Sequence, residues 1–400
     1  MTTISSDYLI IGAGIIGLSI AKTLQERFPT KTITIIEKES AVGLHASGRN
    51  SGVLHAGFYY TSDSLKARFT RDGNSRLRAF CHEHELGINE CGKVVIAQNE
   101  EEVSVIYELE KRGVANGVDV SIVDKRALAE IDPNAETCEI ALYSPTTATV
   151  DPKAVVEKLK EIVVDGGATL CLDTKFMKRV NGNLIETNRG NFVAKTIINA
   201  SGLYADRIAG TFGFGTDYTI IPFKGIYLKY SGEEKPIRTN IYPVPNLKNP
   251  FLGVHYTITV DGTIKIGPTA IPAFWRENYA GFENIRFEEL GEILWYEAKL
   301  FAFDSFHFRS LALEEMKKYS RPHLRSLARG MVKEIDGKKF DTWSTPGIRA
   351  QLLNKHSLEL VQDFVVEGDE HSIHILNAVS PAFTCSFAFA EWVVKEKLGV

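Results

Sequence analysis

Gly12, Gly14 and Gly17, spaced Gly-x-Gly-x-x-Gly, and Glu37 beyond them have the types and spacing that hold a dinucleotide. Gly12 permits a tight turn, Gly14 lets backbone N–H groups approach a pyrophosphate, and Gly17 lets a helix pack closely on a strand. A helix starting there turns its positive end towards the phosphates. Glu37 can accept hydrogen bonds from ribose hydroxyls, and its charge disfavours a 2′-phosphate. These residues do not choose between NAD and FAD.

A βαβ unit over residues 7–37 must position them. Residues 8–11 form an apolar run that reads as a buried parallel strand, a helical pattern ends near Arg27, and residues 32–36 form a β-branched second strand. The 400-residue chain has room for two domains, or for one domain with another inserted. Its 44% hydrophobic and 24% charged residues are those of a globular protein with a substantial core, and a net charge of −4 argues against general nucleic-acid binding. Cys81, Cys91, Cys138, Cys171 and Cys385 are scattered without a CxxC pair. They suit a reducing compartment and indicate no disulfide framework and no metal site. The N-terminus lacks a basic region, and no run reaches about 18 apolar residues. Neither a signal peptide nor a membrane-spanning helix is expected, and the reading is cytoplasmic.

Residues 43–60 are dense in small residues and carry His45 and His55. Such a stretch can lie backbone-first against a flat ring, with Ser, Asn and peptide N–H groups reaching its polar edge. An NAD-binding domain would normally continue with another helix and strand. Beyond it, helices are expected at 64–84, 101–112 and 124–131, the last capped by Asp124, and a strand at 93–98. Residues 145–152 read as a turn-rich crossing, and a helix follows from Pro152 to about 164. Strands at 169–180 and 191–199 lead into a small-residue turn at 200–206. Residues 220–271 alternate in aromatic-rich strands that suggest an antiparallel sheet with one face used as a wall. Residues 286–333 read as helical, 373–377 as a strand, 378–384 as a loop, and the rest as a terminal helix to about 397.

The segment 43–60 resembles the flavin-crossing stretch of FAD-dependent oxidoreductases of the D-amino-acid oxidase type. Taken together, SGRNSGVLHAGFYY (47–60), SLKARF (64–69), INASGLYADRIA (198–209), PFKGIY (222–227), YPVPNLKNPFLGVHYT (242–257), GTIKIGPTA (262–270), GIRAQ (347–351) and NAVSPAFTCSFAFAE (377–391) are similar to the L-2-hydroxyglutarate dehydrogenase/oxidase family over nearly the whole chain. The resemblance implies a mixed α/β fold, with a Rossmann-like FAD-binding domain of the glutathione-reductase/D-amino-acid-oxidase type and an interleaved antiparallel-sheet substrate domain. The expected division is 1–85, 145–215 and 335–400 for FAD, and 86–144 and 216–334 for substrate. It implies FAD held by Gly12, Gly14, Gly17, Glu37, Ser47, Arg49, Asn50, Ser51, Gly52, Ala200, Gly202, Ser380, Pro381, Ala382 and Thr384. It also implies oxidation of an L-2-hydroxy dicarboxylate to the 2-oxo acid, with electrons leaving to a quinone or to oxygen. The chain departs from the family at Lys224 and Ile226, where Arg and an acid are common, and at Ala382, Phe383 and Cys385 in the closing motif.

Flavin oxidation of a 2-hydroxy acid needs a base for the hydroxyl proton, a path for hydride to N5, and cations for the carboxylates. His255 and His55 are the candidate bases, with a slight preference for His255. Arg349 is the best carboxylate anchor, because a guanidinium makes a bidentate pair. Lys224 and Arg276 are second-rank cations, and Tyr242 and Tyr256, with Tyr59 and Tyr60, are candidates to line the pocket. His45 resembles the histidine that carries flavin covalently in relatives of the dimethylglycine dehydrogenase type, although noncovalent FAD is the primary reading. Lys317, Lys318, Arg321, Arg325 and Arg329 read as a solvated face, with peripheral docking to an inner membrane as the second reading. Oligomeric state is open. An amino-acid or glycerol-3-phosphate oxidoreductase, or a flavin-binding subunit without turnover, is the alternative.

Overall fold

The apolar run ahead of Gly12 is the end of a strand, Thr3–Ile11, in which Leu9 and Ile10 are fully buried. A parallel strand covered on both faces has no polar side to show, which is why its sequence is continuous rather than alternating. The helix Ile15–Arg27 follows and ends at Phe28, whose backbone has left helical geometry one residue before Pro29; the residue before a proline is pushed out of the α region. The strand Ile33–Ile36 completes the unit. The computed structural model describes residues 3–245 and 251–399. Residues 246–250, inside the motif 242–257, lie outside the described residues.

Two compact units result, one of Met1–Asn50, Pro152–Pro222 and Arg349–Val400, the other of Ser51–Asp151 and Phe223–Ile348. In the first, an eight-stranded sheet is built around Thr3–Ile11, which pairs in parallel with Ile33–Ile36 and Gly190–Asn199. Thr169–Cys171 and Ser372–Asn377 extend it in parallel on either side. Phe176–Asn181, Leu184–Thr187 and Val365–Gly368 add antiparallel pairs. Register places Ile11 opposite Asn199, so the turns that follow both strands emerge side by side. The helices Pro152–Asp165 and Ala382–Trp392 both pack against Ile15–Arg27.

The second unit carries another eight-stranded sheet, in the order Phe340–Trp343, Leu228–Tyr230, Ile264–Gly267, His255–Ile258, Asn240–Pro243, Lys93–Ile96, Ile140–Ser144 and Ser121–Asp124. The strands of residues 220–271 pair with one another antiparallel as expected, and Asn240–Pro243 joins them in parallel to Lys93–Ile96. Helices Leu65–Glu83, Glu100–Ala115, Lys125–Ile131, Phe287–Phe303, Phe308–Lys317 and Arg321–Arg329 belong to the same unit. Asp124 caps its helix as expected, accepting from Ala127 N.

The observed division differs from the expected one for stated reasons. Residues 51–85 join the second unit because Val53–Leu54 pairs with Ala148–Val150, which also pairs with Ile88–Asn89. The Asn74 amide, on Leu65–Glu83, donates to the carbonyls of Leu54, His55 and Thr146. The expected crossing at 145–152 therefore contains a strand. Phe340–Trp343 joins the second unit by pairing with Leu228–Tyr230, and residues 216–222 stay with the first, where Ile220 N donates to Asp206.

Candidate active site

In the first unit the glycine turn leaves no space for side chains. Gly12 has φ +106°, and a Cβ there would stand 2.6 Å from the Ala200 carbonyl oxygen. A Cβ on Gly17 would stand 2.0 Å from the Gly12 oxygen. Glu37, buried, accepts from Ala13 N at 2.8 Å and from Glu39 N at 3.0 Å. An ionised carboxylate has about four lone-pair sites, so two remain for ribose hydroxyls. Glu37 thus also pins the glycine turn, a role its sequence position did not disclose. Ser47 Oγ accepts from Ile15 N at 3.0 Å, which puts its hydroxyl over the start of the first helix. At Gly14, the residue before that helix, an added Cβ would stand 2.8 Å from Ser47 Oγ, so the side chain that receives Ile15 N would have to shift.

The remaining residues expected around the cofactor fall as follows. The Arg49 side chain donates to Leu44 O, and the Asn50 amide donates to Ala46 O and Ser47 O, so both shape the turn that carries Ser47. Ala200 and Gly202 follow the neighbouring strand, with Ala200 N bonded to Ile11 O. Ser380, Pro381, Ala382 and Thr384 surround the start of a second helix. Ser51 and Gly52 belong to the second unit, where their carbonyls accept from Lys265 and from Val150 N. His45 bonds Glu39 at 2.8 Å. The cradle of small residues, helix start and ribose acceptor fits the adenosine diphosphate half of FAD.

The second unit holds the acid–base candidates. Strand residues alternate between faces, and the register puts Tyr256 opposite Ile241 and Ile266. Those side chains enter an apolar cluster with Val94, Ile264 and Phe340. Tyr256 therefore faces the core and does not line a pocket with its neighbour His255. The opposite face carries Lys93, Tyr242, His255, Thr257 and Lys265.

On that face the His255 ring stacks on Tyr242, with centroids 3.7 Å apart and planes 17° apart. His255 Nδ1 lies 2.8 Å from the Gly253 carbonyl. A carbonyl only accepts, so Nδ1 carries the proton and Nε2 the lone pair. Burial, then the Lys93 and Lys265 charges, bring the imidazole down to about 3, so it is neutral across the physiological range. His55 is likewise held well below its usual value by burial, with Lys93 and His255 adding to the effect. The structure thus brings both candidate histidines into one electrostatic cluster.

Two lysines in this cluster were missed. Lys93 is fully buried. Its Nζ stands 4.5, 4.6 and 4.8 Å from the ring centroids of Phe58, Tyr59 and Tyr242. Burial brings its ammonium down to about 7. Lys265, nearly buried and brought to about 8 chiefly by burial, lies 3.4 Å from Ser51 O and 4.8 Å from the Tyr227 ring centroid. The available signal was strand parity, since Lys93 shares its face with Val95 inside a continuous apolar run.

Lys224 Nζ approaches Asn278 Oδ1 at 3.4 Å, and Arg276 is fully buried. Arg349 is half-buried on Gly347–Asn354. In the basic stretch, Lys318 pairs with buried Glu315, and Arg325 donates to the carbonyls of Phe340 and Lys338. These cations are not a continuous solvated face. No helix among the described residues is long and apolar enough to cross a membrane.

Comparison with known proteins places this geometry. Residues 7–396 match the family model described as FAD dependent oxidoreductase. An L-2-hydroxyglutarate dehydrogenase, mitochondrial, of Nematostella vectensis is 34% identical, across 97% of this chain and 89% of its own. An L-2-hydroxyglutarate dehydrogenase of Escherichia coli (strain K12) is 34% identical, across 98% and 92%. Among solved structures, dithionite-reduced L-alpha-glycerophosphate oxidase from Mycoplasma pneumoniae with FAD bound superposes with a TM-score of 0.78, at 21% identity, over 100% of this chain and 96% of that one. That likeness establishes the fold alone. On its full-length match, its glycine cradle and its fold, the chain belongs to the FAD-dependent oxidoreductase family.

Proposed function

We propose that the chain oxidises L-2-hydroxyglutarate to 2-oxoglutarate and passes the electrons to a quinone or to oxygen. The observation that carries this reading is the face bearing His255, where a neutral base shares one side of a sheet with two buried lysines. Neither lysine makes an ion pair with a carboxylate among the described residues, although the Asp261 charge acts on Lys265. An anionic alcohol suits such a face, and the names of the two relatives point to which alcohol.

Bound FAD supplies a hydride acceptor at N5 for the hydrogen on C2 of the substrate. His255 Nε2 takes the hydroxyl proton, so C2 and its oxygen become a carbonyl as the hydride leaves. Tyr242 and the Gly253 carbonyl fix the plane and tautomer of the imidazole in advance. A bound carboxylate opposes the lysine charges and raises the basicity of His255 in the complex. Arg349 holds a carboxylate through its fork.

Turnover with an artificial acceptor tests the reading: 2-oxoglutarate forms from the L-enantiomer and not from the D-enantiomer. Product from an L-amino acid or glycerol 3-phosphate, with none from 2-hydroxyglutarate, would overturn it. Arg349→Lys keeps the charge but loses the fork, at a cost of about 1.5–3 kcal/mol. We expect kcat/KM to fall roughly ten- to a hundredfold with FAD content unchanged; parental kinetics would remove Arg349 from the site.

A further inference from the structure

Lys93 opens the strand Lys93–Ile96, and its side chain lies on the face that carries Tyr242 and His255. It is 0% exposed, and among the described residues its Nζ makes no hydrogen bond and no ion pair. Three aromatic rings surround the Nζ with centroids within 4.8 Å. Cation–π attraction offsets only part of the hydration lost by a buried ammonium. Such groups are normally paired. The hydroxyl of Tyr59, one of the three caging residues, is also buried without a partner among the described residues. An ammonium and a phenol, both able to donate and both unsatisfied in one cluster, are groups that a carboxylate would satisfy.

We propose that Lys93, with the Tyr59 hydroxyl as second donor, receives the carboxylate of the substrate farther from C2, and so makes the site selective for dicarboxylates. This rests on the oxidation proposed above. C2 must stay open to the hydride acceptor and within reach of His255, whereas Lys93 is fully enclosed, so the ammonium serves the far end. Tyr59 is only partly buried as a residue, unlike Phe58 and Tyr242, which are buried. Tyr242 touches both parts of the site, since its ring faces the Lys93 Nζ and stacks on His255. Recognition of the far carboxylate is thereby continuous with placement of the base.

The competing explanation is a lysine that merely fills its cage. Lys93→Met separates the two, because methionine matches the length and apolar stem without a charge. In the holoprotein we expect kcat/KM for L-2-hydroxyglutarate to fall roughly ten- to a hundredfold, mainly through KM. Activity with L-2-hydroxypentanoate, which lacks the far carboxylate, should change much less than activity with L-2-hydroxyglutarate, so the dicarboxylate preference collapses. The melting temperature without ligand should hold or rise, since an uncompensated buried charge has been removed. Glutarate, but not pentanoate, should raise the melting temperature of the parent and not that of the variant. A variant that keeps the preference, or loses both substrates equally with a lowered melting temperature, overturns the proposal, as does a parent that glutarate does not stabilise. If no 2-hydroxy acid reduces the parental flavin, the oxidation reading fails, and the thermal comparison of glutarate with pentanoate still decides for or against Lys93 as a carboxylate site.

Discussion

Replacing His255 with asparagine lowers the rate of anaerobic flavin reduction by roughly 10²–10⁴-fold in this account, the usual scale for loss of a general base. Substrate binding changes less, because the base is needed most in the transition state. Asparagine keeps hydrogen-bonding groups but takes no proton near neutral pH. The structure strengthens the preference for His255 over His55, since its tautomer is fixed by Gly253 and its plane by Tyr242. His55→Asn is expected to act mainly on binding. The pH dependence follows from burial. In the free protein His255 is protonated only as pH falls towards about 3, so the acid limb of kcat/KM lies far below the ordinary histidine value of about 6.5. An anionic substrate raises the group, so the acid limb of kcat lies at higher pH than that of kcat/KM. Parental reduction rates in both variants, with unaltered pH profiles, would remove both histidines from the role.

The second large effect belongs to the glycine turn. Gly17→Ala is favoured by helix propensity, by up to about 1 kcal/mol. Against that stands a Cβ placed 2.0 Å from the Gly12 carbonyl oxygen, a backbone atom that cannot rotate away. Relief requires moving the turn, and with it the Ala13 N–H held by Glu37 and the helix start held by Ser47. Hydrogen bonds to charged groups contribute about 1.5–3 kcal/mol each. Losing one to the pyrophosphate weakens FAD roughly ten- to a hundredfold, and losing two by a hundredfold or more. The variant should purify colourless, with its second unit's near-ultraviolet circular dichroism intact. A parental FAD content would show that the turn tolerates a side chain.

How much of this was legible in the sequence depended on range. The glycine turn and Glu37 form a local motif whose purpose follows from spacing, and the apolar strand ahead of them could only be buried. The cap at Asp124 and the helix stop before Pro29 were legible for the same reason. The parallel pairing of Asn240–Pro243 with Lys93–Ile96 was not, because nothing local specifies a partner so distant in the chain. Lys93 was lost with that pairing. Strand parity puts Lys93 on the face of Val95, but only the far strand brings Tyr242 over it. Tyr256 was a different failure, because adjacent strand residues point to opposite faces and His255 and Tyr256 could not both line one pocket. The boundaries of the two units were not legible where short strands, such as Val53–Leu54, carry few residues and little pattern.

Anaerobic titration of the holoprotein tests the central claim most directly. L-2-hydroxyglutarate should bleach the visible flavin band completely at about one equivalent per FAD, as a two-electron hydride donor must. The D-enantiomer should leave the band in place. A flavin that stays oxidised with L-2-hydroxyglutarate, yet bleaches with an L-amino acid or with glycerol 3-phosphate, would contradict the account.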